Sequence, residues 1–138
     1  MGPERILSDI NLVGLSNVVC QVGLAQEAVA AALSAPGADE DVQRAVNTWR
    51  QRRDVILSQL AGLPVVPPDG GWSLLIDTTQ IGLSPSDASE LLFTRGRVAA
   101  TPMPGWGPSG DDYLRLVFAN EPVERLGDLR ARFDAAWG

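Results

Sequence analysis

The stretch YLRLVF, residues 113–118, has the clearest β-strand pattern in the chain, because its aliphatic positions alternate along the sequence. Successive residues of a strand point to opposite faces of a sheet. One face therefore holds Leu114, Leu116 and Phe118, and the other holds Tyr113, Arg115 and Val117. We expect the first face to pack in a hydrophobic core and the second to present Arg115.

The segments around this strand alternate between helical and extended patterns. In chain order, the predicted elements are a helix over 16–33, a helix over 39–60, strands at 65–66 and 72–77, a helix over 85–95, a strand at 98–100, a rigid loop over 101–110, the strand at 113–118 and a last helix after Pro122. This order predicts an α/β fold of the α+β type, with helices packed on a small sheet.

Capping residues predict where the helices begin and end. The predicted N-caps are Asp39, Ser84 with Pro85 at the first helical position, and Asn120 or Glu121 for the last helix, and the predicted stops are Gly62 with Pro64, and Gly96. Residues 1–15 show little periodicity, so no element is predicted there.

The helix predicted over 16–33 is apolar around most of its circumference. Such a helix is normally buried on several sides, and a single domain of 138 residues would struggle to surround it. We therefore expect this helix to face another domain or subunit. Cys20 lies within it and is more simply explained as an inert packing residue than as a nucleophile.

The composition excludes several kinds of chemistry within this chain. All 11 basic residues are arginine, so a lysine Schiff base, a histidine general base and a histidine metal site are impossible. A net charge of −6 argues against nucleic-acid or anionic-membrane partners. With one cysteine there is no intrachain disulfide, and we expect a soluble, cytoplasmic domain.

Arg115 is the residue that stands out, and two interpretations of it remain open. A guanidinium is a planar fork of donors that can grip a carboxylate with two parallel hydrogen bonds. On pattern alone, however, an arginine in a strand is more often a solvated or ion-paired surface residue.

Three other features have simpler structural explanations. Asp69-Gly70-Gly71 suggests a phosphate-binding nest but is more typical of a hairpin turn. Asp111-Asp112 suggests a metal site, yet two adjacent acids without further ligands are more often solvated, so no metal site is predicted. Trp72 and Trp106 follow glycines in turns and belong either to the core or to the edge of a pocket.

Five segments in order resemble the C-terminal part of the fold type I, pyridoxal-phosphate-dependent aminotransferases of class I/II, the aspartate aminotransferase-like group. The segments are the glutamine- and alanine-rich run 26–33, the arginine-containing helix 50–60, the turn 68–72, the strand and loop 98–107, and the strand 113–119. The sequence departs from the family pattern at Met103, where glycine is common, and at Trp106, where phenylalanine is common. Either difference is expected to reshape a substrate pocket.

The resemblance implies a role for individual residues. Arg115 would bind the α-carboxylate of an amino-acid or 2-oxo-acid substrate, Trp72 would edge the substrate pocket, and Asn17 would lie near the active site of a neighbouring subunit. Residues 1–38 would end the large domain, and residues 39–138 would form the small C-terminal domain.

The resemblance also implies partners that lie outside this sequence. The cofactor would be pyridoxal 5'-phosphate, held by a large domain whose aspartate and Schiff-base lysine precede these residues, and the enzyme would be a homodimer. No catalytic residue is then expected in this chain, which alone would be inactive. The alternative is a free-standing α/β module that binds carboxylates through Arg115, or only dimerises, without catalysis.

Overall fold

The computed structural model describes residues 3–18 and 22–138. The chain divides into two compact units, residues 1–43 and 44–138. Within the described ranges, no helix is both long and apolar enough to cross a membrane.

The first unit contains helices α1 (Glu4–Asn17) and α2 (Gly23–Ser34). The sequence prediction was wrong here, because residues 4–17 are helical and the predicted helix over 16–33 is not continuous. Ser16 and Asn17 favour turns, but their side chains donate hydrogen bonds to the carbonyls of Leu12 and Val13 and so remain within the helix. Residues 19–21 lie outside the described residues, so the packing role of Cys20 stays a prediction.

Apolar side chains of the first unit are exposed. Neither α1 nor α2 contains a buried residue, and Leu24 and Leu33 are 83% and 79% exposed. One side of α2 forms an open apolar groove lined by Val22, Ala25, Gln26, Val29, Ala30 and Leu33. A contiguous apolar surface of this kind is characteristic of an interaction surface.

The second unit is built on a four-stranded antiparallel sheet of β1 (Val65–Val66), β2 (Ser73–Asp77), β3 (Thr101–Pro102) and β4 (Tyr113–Val117), in the order β1-β2-β4-β3. Leu74 lies opposite Leu116 and Ile76 opposite Leu114. All four are buried, which confirms the face predicted for the strand at 113–118.

Helices cover this buried face of the sheet. They are α3 (Ala38–Gln59), a 3₁₀ turn (Thr78–Ile81), α4 (Pro85–Leu91) continued by one π turn (Leu92–Gly96), α5 (Val123–Leu126) and α6 (Leu129–Trp137). Residues of these helices join the strand residues in one hydrophobic core. They are Ile56 in α3, Leu60 just after α3, Leu92 in the π turn and Phe133 in α6. Burying each such side chain contributes roughly 1.5–3 kcal/mol. The predicted fold class, helices on a small sheet, is confirmed.

One predicted strand lies elsewhere in the structure. The strand predicted at 98–100 is instead Thr101–Pro102, because the backbone of the predicted segment is engaged by α4 and its π turn. The Val98 N–H donates to the Leu92 carbonyl, and the Ala100 carbonyl accepts from the Ser89 hydroxyl. Pairing with β4 therefore begins only at Thr101.

The last helix is interrupted and its predicted caps are wrong. Two short helices, α5 and α6, replace it, and Pro122 rather than Asn120 or Glu121 is the N-cap of α5. Glu121 instead forms an ion pair with Arg125, at 3.2 Å. Residues 127–128 separate the two helices.

The other helix boundaries are close to the prediction. Ser84 caps α4 by accepting a hydrogen bond from the Asp87 N–H, and Pro85 is the first helical residue. The π turn ends at Gly96, where a side chain would meet the Arg132 carbonyl of α6 at 2.7 Å. Asp39 is not a cap, because α3 already begins at Ala38.

Two carboxylates that accept hydrogen bonds from neighbouring side chains have pKa values below the ordinary value of an aspartate. Hydrogen bonds from the Thr79 and Gln80 side chains hold the pKa of Asp77 below its ordinary value of 3.8. The hydrogen bond from the Arg132 side chain does the same to the pKa of Asp128. Their stabilising contribution is therefore present above pH 3.8 and is lost as the pH falls through the lowered pKa values.

A ¹³C NMR titration of the carboxyl carbons measures both pKa values directly. The variant Arg132→Gln removes the charged donor, so the pKa of Asp128 should return towards 3.8 while the pKa of Asp77 stays low. A wild-type Asp128 that titrates at or above 3.8 would contradict the geometry.

Candidate functional site

Arg115 lies in the middle of the sheet, on the face that the helices do not cover. Its strand β4 runs between β2 and β3, and Arg115 is opposite Leu75 on one side and Thr101 on the other. The alternation of β4 places Leu114 and Leu116 in the core and leaves Arg115 half-buried. The position predicted from the sequence is thus the position observed.

The guanidinium of Arg115 has no acidic partner in the described part of the chain. Its Nε atom is buried and forms no hydrogen bond there. Other arginines of the second unit do have carboxylate partners, as in the pairs Arg130–Asp134 and Arg132–Asp128. A buried donor without an acceptor costs free energy. Of the two surface interpretations, solvated or ion-paired, the described residues contain no ion pair for Arg115, and its side chain is half-buried.

Trp106 covers the guanidinium of Arg115. The guanidinium carbon lies over the indole ring, 4.5 Å from its centroid, which is a cation–π geometry. The ring itself remains 61% exposed. The sequence left Trp106 as a core or pocket-edge residue, and the structure places it against Arg115, which no pattern had indicated.

Backbone hydrogen bonds close the loop that carries Trp106. The N–H of Met103 donates to the Tyr113 carbonyl, and the N–H of Trp106 donates to the Met103 carbonyl, both at 3.0 Å. At Gly110 a Cβ would lie 2.7 Å from the Met103 carbonyl oxygen. This close approach requires glycine, and it fixes the base of the loop beside Arg115.

The other two candidate residues, Trp72 and Asn17, each contact residues of their own unit. Trp72 packs edge-on against Trp49 of α3, with ring centroids 6.4 Å apart, and α3 covers the opposite face of the sheet. Asn17 lies at the end of α1, in the first unit, where its amide donates to the Val13 carbonyl. Nothing in these positions tests the roles that the resemblance implied for them.

The turn at residues 69–71 and the acidic pair at residues 111–112 take part in the backbone structure of the second unit. Gly71 adopts a positive φ of 79° in the turn that leads into β2, as a hairpin turn requires. The Asp112 carbonyl accepts hydrogen bonds from both the N–H and the hydroxyl of Thr78. Across residues 3–18 and 22–138, no cluster of three or more potential metal ligands occurs.

The residues of this chain do not fit a covalent cofactor site. The sequence contains no lysine, so no amine of a side chain can carry an aldehyde cofactor. The arrangement instead provides the guanidinium of Arg115, whose Nε–H has no acceptor among the described residues, next to the ring of Trp106 and its hydrogen-bonded loop. The planar fork of a guanidinium suits the recognition of a carboxylate.

Comparisons with known proteins identify relatives along nearly the whole chain, although no family model matches it. The chain is 28% identical over 134 residues to the aromatic-amino-acid aminotransferase 2 of Thermococcus litoralis, covering 96% of this chain and 34% of that protein. It is 30% identical over an alignment of 140 residues to the aspartate/prephenate aminotransferase of Thermus thermophilus, covering 99% and 35%.

Comparison of the fold with solved structures also identifies aminotransferases. The crystal structure of the aromatic aminotransferase from Pyrococcus horikoshii OT3 matches with a TM-score of 0.85 at 27% identity, covering 96% of this chain and 36% of that one. The chain thus spans about a third of the length of the relatives it matches, which is consistent with the C-terminal part of such a protein. In sequence and in fold, the chain is similar to the aspartate and aromatic aminotransferases, the fold type I pyridoxal-phosphate-dependent group.

Proposed function

We propose that this chain is the C-terminal part of a pyridoxal-phosphate-dependent aminotransferase, in which Arg115 binds the α-carboxylate of the amino-acid or 2-oxo-acid substrate. Residues 1–38 would end the large domain and residues 39–138 would form the small domain. The exposed apolar groove of α2 supports this division, because it is a surface suited to packing against further protein.

The observation that carries the proposal is the unpartnered, buried Nε of Arg115. A carboxylate that accepts from Nε and from a terminal nitrogen of the same guanidinium would form two parallel charge-assisted hydrogen bonds. It would satisfy the orphan donor and supply the missing negative charge. Two bonds in one plane also fix the orientation of the substrate, which is how binding at a distance from the reacting atoms accelerates a reaction.

The chemistry itself would come from outside these residues. Pyridoxal phosphate supplies the electron sink when it is bound, and its lysine would belong to the large domain. The chain alone would therefore bind substrate without transaminating it. The proposal includes a homodimer and a cytoplasmic location, with Asn17 near the neighbouring subunit's site and Trp72 at the pocket edge, as the sequence led us to expect.

Calorimetric titration of the chain with a simple 2-oxo acid tests the proposed role of Arg115. Arg115→Gln keeps a polar side chain but removes the charged fork, so affinity should fall about tenfold or more. The amide of the same acid lacks the carboxylate, so it should bind the wild-type chain as weakly as the acid binds Arg115→Gln. The matched control is Arg97→Gln, which changes an exposed arginine on the turn after the π turn and should leave the affinity unchanged.

Equal affinity of the wild-type and Arg115→Gln chains would refute carboxylate binding. The non-catalytic alternative predicts the same binding result, so an assay of the protein as its gene encodes it must separate the two. Transamination supports the aminotransferase, whereas carboxylate binding without transamination supports the free-standing module.

A further inference from the structure

The contact between Trp106 and Arg115 has the geometry of a device that orients the guanidinium. The guanidinium carbon of Arg115 lies over the indole ring of Trp106, 4.5 Å from its centroid. A guanidinium donates hydrogen bonds only in its own plane, so a ring on its face leaves the donors available and takes up only the direction in which no hydrogen bond forms. The contact therefore restricts the orientation of the fork without competing for the ligand.

The backbone on either side of Trp106 is unusual. Gly105 and Gly107 both have positive φ values, of 87° and 124°, a region that favours glycine. The Trp106 N–H is held by the Met103 carbonyl. The loop therefore places the Trp106 side chain against Arg115 by means of a backbone conformation that residues other than glycine rarely adopt at positions 105 and 107.

Burial does not explain the position of Trp106. At 61% exposure the indole contributes little to the core, and among the described residues the recorded contact of its ring is the one with Arg115. The ring instead lies against Arg115, which is the one arginine in the strands of the described part of the chain, and a ring in this position would exclude water from that side of the guanidinium. Water exclusion strengthens the attraction between a guanidinium and a carboxylate because it lowers the local dielectric constant.

We propose that Trp106 is a positioning residue for the carboxylate site: it holds the Arg115 guanidinium in the plane required for a two-point contact and shields that contact from water. This inference rests on the carboxylate-binding role of Arg115 proposed above. It assigns to Trp106 an effect on substrate affinity that acts through Arg115 and not through the fold.

Three variants of the full 138-residue chain test the role of Trp106 by titration with a 2-oxo acid. Trp106→Leu keeps an apolar cover but removes the π system, and the affinity should fall about threefold to tenfold. Trp106→Phe restores an aromatic face and should recover most of the affinity. Phe93→Leu alters an aromatic side chain of similar exposure, 62%, in the π turn, and should have no effect.

A second measurement separates positioning from a general loss of structure. In NMR spectra the Arg115 side-chain protons should show ring-current shifts that persist in Trp106→Phe and disappear in Trp106→Leu, while the melting temperature stays within a few degrees for every variant. Unchanged affinity in Trp106→Leu, with binding lost in Arg115→Gln, would overturn the role of Trp106 alone. Binding that survives Arg115→Gln would overturn the proposed function as well.

Discussion

In the protein as its gene encodes it, Arg115→Lys is expected to lower kcat/KM for amino-acid substrates about tenfold to a hundredfold. Lysine keeps the positive charge but replaces the planar fork with a single point donor. One of two charge-assisted hydrogen bonds is lost, and each is worth about 1.5–3 kcal/mol. Steady-state kinetics with the same substrate for both proteins measures the difference.

The effect should appear in kcat as well as in KM, because a carboxylate held at one point leaves the reacting atoms poorly oriented. Arg97→Lys is the matched control: Arg97 is exposed on the turn after the π turn and its substitution should leave kcat/KM within about twofold. Unchanged kinetics in Arg115→Lys would refute the carboxylate role.

Phe133→Ala is expected to be among the most destabilising single changes in the second unit, at about 3–5 kcal/mol. Phe133 is 1% exposed and belongs to the core that joins α6 to the sheet. Its ring also packs edge-on against Trp137, with centroids 4.8 Å apart, a contact worth roughly 0.5–1.5 kcal/mol beyond burial. Urea denaturation measures the free energy of unfolding.

The control for this change is the same substitution at an exposed phenylalanine. Phe93→Ala, at a side chain 62% exposed, should change the free energy of unfolding by no more than about 0.5 kcal/mol. If the two variants were equally stable, α6 would not be part of the cooperative core.

The predictable parts of the fold are those where a local pattern and tertiary packing agree. The alternation around Leu114 and Leu116 gave the correct buried face of β4, and Ser84-Pro85 gave the correct start of α4. The errors arise where side chains or distant backbone groups intervene. Ser16 hydrogen-bonds within α1, and Ala100 is bonded to Ser89 of α4 instead of to a strand; neither contact is visible in a linear pattern.

The candidate site was predictable in position but not in composition. Alternation places Arg115 on the open face of the sheet, whereas its lack of a partner depends on every other described residue. The contact with Trp106 depends on a loop whose path is fixed by positive φ values at Gly105 and Gly107. The aromatic residue flanked by glycines between two paired strands is the sequence signal from which a pocket-edge position could be inferred, but it does not identify Arg115 as the contact.

The most direct test of the carboxylate role is the ¹⁵N NMR signal of the Arg115 Nε–H during titration of the chain with a 2-oxo acid. This donor is buried and unpartnered, so an incoming carboxylate gives it its first strong acceptor. We predict a saturable downfield shift of its proton and slower exchange with water, with no comparable change at Arg97. A spectrum in which the Arg115 signal stays in place while the ligand binds would contradict the assignment of Arg115 as the substrate-carboxylate residue.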